Sequence, residues 1–251
     1  MARDEAIIAQ QERIKDEIKE KTPLVSQRYP ISVLCEEYLD DSVYKGKIDD
    51  LSRRYSHIRK TRGDGNCFFR AFGFAYLERL LSDQKELSRF EMSAGRSKDQ
   101  LITLGFPEFT IKEFHDTFME VIKQVGQQPE VEELVDTFRD QGISDYIVVY
   151  LRLLVSGQLQ KEADFYENFL EGGMTVKEFC SKEVEPMARE SDHIHIIALT
   201  SALGVGVRVV YLDRGDGGKA FPHDFPEGCT PQVVLLYRPG HYDVLYPLKG
   251  S

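Results

Sequence analysis

One cysteine and one histidine, 174 residues apart, carry the strongest chemical signal in the chain. Cys67 lies in TRGDGNCFFRA (Thr61 to Ala71), where Gly63 and Gly65 mark a tight loop with positive φ angles available. The following residues, FFRAFGFAYLERLL, are helical in composition and apolar on most faces, which implies a helix inside the fold. Asn66 is a favourable N-cap for that helix and sets Cys67 in its first turn. Free amides and the positive end of the helix dipole favour an anion at such a position. Amides of the same loop, at Gly65 and Asn66, could hold a developing oxyanion. A thiol so placed needs only a proton carrier.

His241 is the best placed of six histidines, because it follows Pro239-Gly240 and begins the strand-like run HYDVLY. Residues i and i+2 of a strand share a face, so Asp243 would hold one ring nitrogen while the other turns to a thiol. The order Cys, His, Asp with a long first gap follows the logic of papain-like enzymes. A lone cysteine before an apolar helix is commonly a core residue, and His-x-Asp on a strand is commonly a surface hydrogen bond. Their coincidence with a glycine loop and a turn points to a cysteine hydrolase.

Other candidates carry less. His193 and His195, in SDHIHIIALTSAL, could hold a metal on a strand, but the run reads as helix, where i and i+2 diverge. No metal or cofactor is expected. RGDGG and EGG lack the Lys-Ser/Thr of a phosphate-binding loop. Cys35, Cys180 and Cys229 have no helix-start setting, and four cysteines without a CxxC pair argue for reduced thiols in the cytosol or nucleus.

The elements that position Cys67 and His241 follow from periodicity. Residues 3–21 read as a charged helix with a narrow seam at Ile7, Ile14 and Ile18, either packed on its own domain or docked into a partner's groove. Thr22-Pro23 ends it. From Ser97 to Met187 the chain is mostly helical. Two capping boxes stand out, TIKE (Thr110 to Glu113) and TVKE (Thr175 to Glu178), the second helix ending near Pro186. Between them YIVVYLRLLV is buried helix or strand, with Ser144 as an N-cap favouring helix. After Ala202 come three strands, VGVRVVYL, QVVLLYR and HYDVLYP, the last two a hairpin turned at Arg238-Pro-Gly240. Helices followed by strands imply an α+β architecture. One catalytic domain over residues 23–251 with an N-terminal helical arm over 1–22 is expected.

Bulk composition is that of a soluble globular chain, 41% hydrophobic and 29% charged over 251 residues. The net charge of -10 argues against general nucleic-acid binding. No apolar run approaches the ~18 residues a bilayer span needs, nor does the start resemble a signal peptide.

DGNCFFRA (Asp64 to Ala71) and YRPGHYDVLY (Tyr237 to Tyr246) closely resemble the ovarian-tumour class of deubiquitinases, the otubain branch most of all. The likeness extends through DYIVVYLRLL, TVKEFC, EVEPM and ESDHIHIIAL, nearly the whole chain. It implies a papain-like α+β fold with a central sheet between helical lobes. It implies that Cys67 is the nucleophile, His241 the base, Asp243 the residue orienting it, and Asp64 part of the oxyanion loop. The implied reaction is hydrolysis of ubiquitin–ubiquitin isopeptide bonds without cofactor, favouring the linkage that targets proteins to the proteasome. Implied partners are ubiquitin, polyubiquitin chains and ubiquitin-conjugating enzymes, which such proteins also inhibit without catalysis. A monomer active in the cytoplasm or nucleus, with a part in the DNA damage response, completes that picture. The arm DEAIIAQQERIKDEI (Asp4 to Ile18) resembles the family's ubiquitin-contacting segment, and ADFYENFLE, with Phe165 and Phe169, is a ubiquitin-facing candidate or else an ordinary amphipathic helix burying both rings. Gly63 departs from the family, which commonly has proline there, and gives a looser loop.

Overall fold

Strands come first in the described chain. A computed structural model describes Gln10, residues 22–215 and residues 218–248, so the expected helical arm with Ile7, Ile14 and Ile18 lies outside the described residues. β1 (Val25–Pro30) and β2 (Tyr55–Thr61) are joined by α1 (Val33–Glu37) and α2 (Ser42–Ser52). The loop Arg62–Asn66 leads into α3 (Cys67–Leu80). Four long or medium helices follow: α4 (Gln84–Thr103), α5 (Glu108–Gly126), α6 (Val131–Arg139) and α7 (Gln141–Lys161). A short α8 (Ala163–Tyr166) leads through irregular turns to α9 (Val176–Phe179), which the Thr175/Glu178 capping box opens as expected. The chain widens into a π turn over Cys180–Val184 before α10 (His193–Leu203). β3 (Val207–Tyr211), β4 (Phe221–Phe225), β5 (Val233–Arg238) and β6 (His241–Pro247) complete it.

The six strands form one sheet in the order β1-β2-β6-β5-β3-β4, with β3 and β5 parallel and the other neighbours antiparallel. The β5–β6 hairpin closes with Arg238 opposite His241, as expected, and Gly240 supplies the positive φ of 74°. Successive residues face opposite sides. Val209, Leu235 and Val244 join the large core under α3 to α10, whereas Val210, Leu236 and Leu245 join a smaller core under α1 and α2. Coverage on both faces explains why β5 reads as an apolar run up to Arg238 and β3 is apolar except at Arg208. The result is the expected α+β arrangement, a sheet between helical lobes. No helix among the described residues is long and apolar enough to cross a membrane.

Four local expectations give way. Six strands replace three, because β1 and β4 lie on the sheet edges and expose much of their length, and β2 hides its strand character behind polar residues. α5 begins at Glu108 behind Pro107, so Thr110 sits inside the first turn and does not cap it. The N-cap of α7 is Asp140, whose carboxylate accepts from the Ile143 amide; Ser144 is buried one turn in, where its hydroxyl accepts from Arg70 Nε. Asn66 occupies the N-cap position of α3, but its side chain makes no capping bond.

α3 is buried nearly all round, as its composition requires. Tyr76 of α3 stacks edge-on against Phe90 of α4 at 4.8 Å, and Phe90 meets Phe118 of α5 at 6.0 Å. Phe90→Ala empties the centre of that chain of rings. Its expected cost is about 3–5 kcal/mol, read as a lower denaturant midpoint at unchanged slope.

Candidate active site

Thr61, the last residue of β2, fixes where the loop begins. Its amide donates to Asp243 Oδ1 at 2.9 Å, and its hydroxyl donates to the Tyr242 carbonyl. Three residues on, Asp64 Oδ1 accepts from the Asn66 amide at 2.9 Å, and both carboxylate oxygens accept from Arg70 Nη1 at 2.9 Å. Arg70 is fully buried in α3 and also reaches Asp145 Oδ1 at 3.2 Å. Asp64 thus folds the loop back onto the helix that carries the thiol.

Gly65 is required by geometry. Its φ is 75°, and a β-carbon would lie 2.5 Å from the Ala188 carbonyl oxygen. Asn66 Oδ1 faces the same segment, accepting from the Ala188 amide at 2.9 Å and from Arg152 Nη2 at 3.0 Å. The Asn66 amide, expected to serve an oxyanion, is committed to Asp64. The amides of Gly65 and Cys67 have no acceptor among the described residues. Cys67 itself is the first residue of α3, 5% exposed.

His241 Nε2 lies 2.9 Å from Asp243 Oδ1, so strand alternation does bring the two side chains together. Nδ1 is left beside Gly63, whose hypothetical β-carbon would sit 3.5 Å away, and Cys67 lies within polar reach of the ring. Burial opposes a charge on His241, but the bond to Asp243 and the neighbouring Cys67 outweigh it and raise the imidazole to about 10. Burial likewise opposes the Asp243 charge, and the His241 bond, Arg238 and the Thr61 amide together hold this carboxyl below its usual range. Arg238 binds Asp243 Oδ2 and, 2.6 Å away on its other side, Glu37 at the end of α1. The remaining thiols contrast: burial pushes Cys180 up to about 11 and raises Cys229.

The structure therefore brings Cys67, His241, Asp243, Asp64, Gly65 and Asn66 into one place. Phe165 and Phe169 lie apart from it, 54% and 63% exposed, so the amphipathic helix that buries them does not form; Tyr166 is buried instead. They flank a groove of about 640 Å³ that runs past Met174 and Ile197 to Asp192 and His193. A second hollow continues from Asp192 and His193 to Tyr237 and Tyr242, and His241 lines a separate hollow with Gly63, Thr61 and Arg238. His195 closes a capping box with Asp192 on α10, where burial lowers it to about 4 and keeps it neutral. Sequence reasoning passed over Arg70, Arg152 and Arg238. The signal was present: an arginine inside FFRAFGF or VVYLRLL is a charge in an apolar helix and must have buried partners.

Two outcomes follow from this geometry. Gly65→Ala should leave the chain folded but destabilised by about 1–3 kcal/mol, since the loop cannot keep its φ or its contact with Ala188. Chemical denaturation checks this. The His241 charge, with a folded value above the ordinary 6.5, stabilises fully below that pH and is lost as pH rises through about 10. Asp243, held low, keeps its share until the pH falls below its usual range. Titration of His241 by NMR should show a midpoint near 10; one near 6.5 contradicts the pairing.

Comparison with known proteins shows the family. Residues 17–247 match the family model of peptidase C65, otubain. A human protein named ubiquitin thioesterase OTUB1 is 61% identical over 98% of this chain and 91% of its own. An Arabidopsis thaliana relative, an ovarian tumor domain-containing deubiquitinating enzyme, is 43% identical over 96% of this chain and 86% of its own. Among solved structures, h/ceOTUB1 with ubiquitin aldehyde and UBC13~Ub superposes with a TM-score of 0.92 at 39% identity, covering 99% of this chain and 100% of that one. With the family model matched over residues 17–247 and 61% identity to a relative across 98% of its length, the chain belongs to the peptidase C65 otubain family.

Proposed function

We propose that the chain is a ubiquitin-specific cysteine isopeptidase whose nucleophile is Cys67. The observation that carries the reading is the Cys67–His241–Asp243 constellation at the start of a buried helix, in a chain of the otubain family. Cys67 Sγ attacks the carbonyl carbon of ubiquitin's C-terminal glycine, and the negative charge on oxygen is received by the Gly65 and Cys67 amides. His241 gives its Nδ1 proton to the leaving lysine amine as the tetrahedral intermediate collapses to a thioester. Water, deprotonated by the now neutral His241, attacks the thioester; collapse frees ubiquitin's C-terminal carboxyl group and returns Cys67 as a thiolate beside the protonated His241. Asp243 keeps the ring in register for both transfers, and Asp64 keeps the loop closed on α3.

Substrate geometry supports the same reading. Ubiquitin presents an apolar patch and an extended C-terminal tail. The exposed Phe165 and Phe169 suit the patch, and the groove they flank meets a second hollow at Asp192 and His193.

A second activity is favoured by the solved relatives, described with UBC13~Ub and with UBCH5B~Ub. The chain binds ubiquitin-charged conjugating enzymes and blocks transfer, with the seam of Ile7, Ile14 and Ile18 on the conjugated ubiquitin. It acts as a monomer in the cytoplasm and nucleus, consistent with four free cysteines among the described residues, and serves the DNA damage response. The linkage cut is the one that directs proteins to the proteasome.

A panel of di-ubiquitins, one per linkage, tests the first activity. The wild-type chain should cut one linkage selectively, and Cys67→Ser and His241→Ala should cut none while remaining folded; cleavage by Cys67→Ser sinks the assignment. Phe169→Asp should raise KM about tenfold at unchanged kcat, since it removes binding and leaves the reacting groups in place. In a ubiquitin-conjugation assay Cys67→Ser should still inhibit, whereas loss of residues 1–21 should abolish inhibition.

A further inference from the structure

Arg152 is the strangest charge in the molecule. It projects from α7 with no solvent exposure. Nη2 donates to the Gly65 carbonyl at 2.9 Å, to Asn66 Oδ1 at 3.0 Å and to the Arg189 carbonyl at 2.8 Å. Nη1 donates to the Val184 carbonyl at 3.0 Å, and the guanidinium lies over the Phe69 ring, 4.6 Å from its centre. Every acceptor is a neutral oxygen. Nε has no hydrogen-bond partner among the described residues, and no carboxylate there forms an ion pair with this arginine.

Such an arrangement is costly. A fully buried charge is ordinarily paired, or it destabilises the fold. The one carboxylate among the described residues whose field acts on Arg152, Asp64, already has both oxygens on Arg70, and Arg70 also takes Asp145. A Cys67 thiolate, the form in which a cysteine acts as nucleophile, would be a second negative charge acting on Arg152. The guanidinium grips the two residues that precede the thiol, Gly65 and Asn66, so it sits directly behind the nucleophile. Burial lowers it to about 10, which still leaves it charged at neutral pH.

We propose that Arg152 is a positioning residue whose uncompensated buried charge has the Cys67 sulfur, and then the oxyanion, as its counter-charge. The same contacts join the nucleophile loop to the segment from Val184 to Arg189, so the charge is held at a fixed place behind the reacting atoms. Arg152 touches neither substrate nor sulfur, and acts through the loop and through its field. Its part in turnover rests on the isopeptidase reading; its pairing with the Cys67 charge does not.

The experiment compares the full chain with Arg152→Gln and Arg152→Lys. The rate of Cys67 alkylation by iodoacetamide at neutral pH is followed by peptide mass spectrometry, beside kcat and KM on the di-ubiquitin that wild type cuts. Arg152→Gln should slow alkylation and kcat by about tenfold or more with KM nearly unchanged, and Arg152→Lys should restore alkylation to within roughly threefold of wild type. Equal losses in the two variants, or unaltered alkylation in Arg152→Gln, overturn the proposal, because the contacts and not the charge would then matter or neither would. If Arg152→Gln does not fold, Arg152→Lys decides alone: alkylation within about threefold of wild type supports the role, and a tenfold loss overturns it. Wild type that cuts no di-ubiquitin defeats the isopeptidase reading, while the alkylation ratio still decides the charge pairing.

Discussion

The carboxylate of Asp243 has no solvent, and the site is built around keeping it ionised. An unpaired charge in such a place costs several kcal/mol, so each of its oxygens must be met by a fixed donor. β2 supplies the Thr61 amide, β5 supplies Arg238 and β6 supplies His241. Three adjacent strands must therefore hold their register for the carboxylate to be satisfied. That register also places the end of β2, and with it the start of the nucleophile loop, beside the histidine. Misplacing any one strand would strand a charge in the sheet, which ties the assembly of the site to the folding of the sheet.

The same logic of buried charge recurs on the helical side. Arg70 anchors Asp64 and so closes the loop from in front, while Arg152 takes the Gly65 carbonyl and the Asn66 side chain from behind. Between these two guanidinium groups the chain has few ways to move. Gly65 is pressed against Ala188, and Asn66 is bonded at both its amide and its side chain. A loop held this firmly keeps the Gly65 and Cys67 amides in fixed places at the start of α3.

How much of this could be read from residues alone differs by scale. Nearest-neighbour patterns were sufficient for Cys67 at a helix start and for His241 and Asp243 on one face, because helix and strand periodicity decide those placements locally. The hairpin at Arg238-Pro-Gly240 was likewise plain from its turn residues. β1, β2 and β4 were not, since an edge strand, or a strand such as β2 with Ser56, His57, Arg59 and Lys60, has no apolar alternation to show. Caps failed for a related reason. Thr110 and Ser144 have the right side chains, but Pro107 and Asp140 lie a few residues earlier and start the helices first. Asn66 was read as serving its own helix, whereas tertiary partners at Ala188 and Arg152 claim its oxygen.

The phenylalanines at 165 and 169 show where local reading reaches its limit in the other direction. Their spacing fits an amphipathic helix, and burial would have been the ordinary outcome. α8 lasts only four residues, however, and the chain then tightens into a 3-10 turn, so one helical face cannot turn both rings inward. Their rings meet at a tilt, 5.2 Å between centres, and remain open to solvent, one of the larger apolar exposures among the described residues. Exposed aromatic surface of this kind is held in place only where it has a partner to meet. The groove they flank runs past Met174 and Ile197 to Asp192 and His193, so the short α8 and its 3-10 turn, by failing to bury the rings, leave an aromatic wall on that groove.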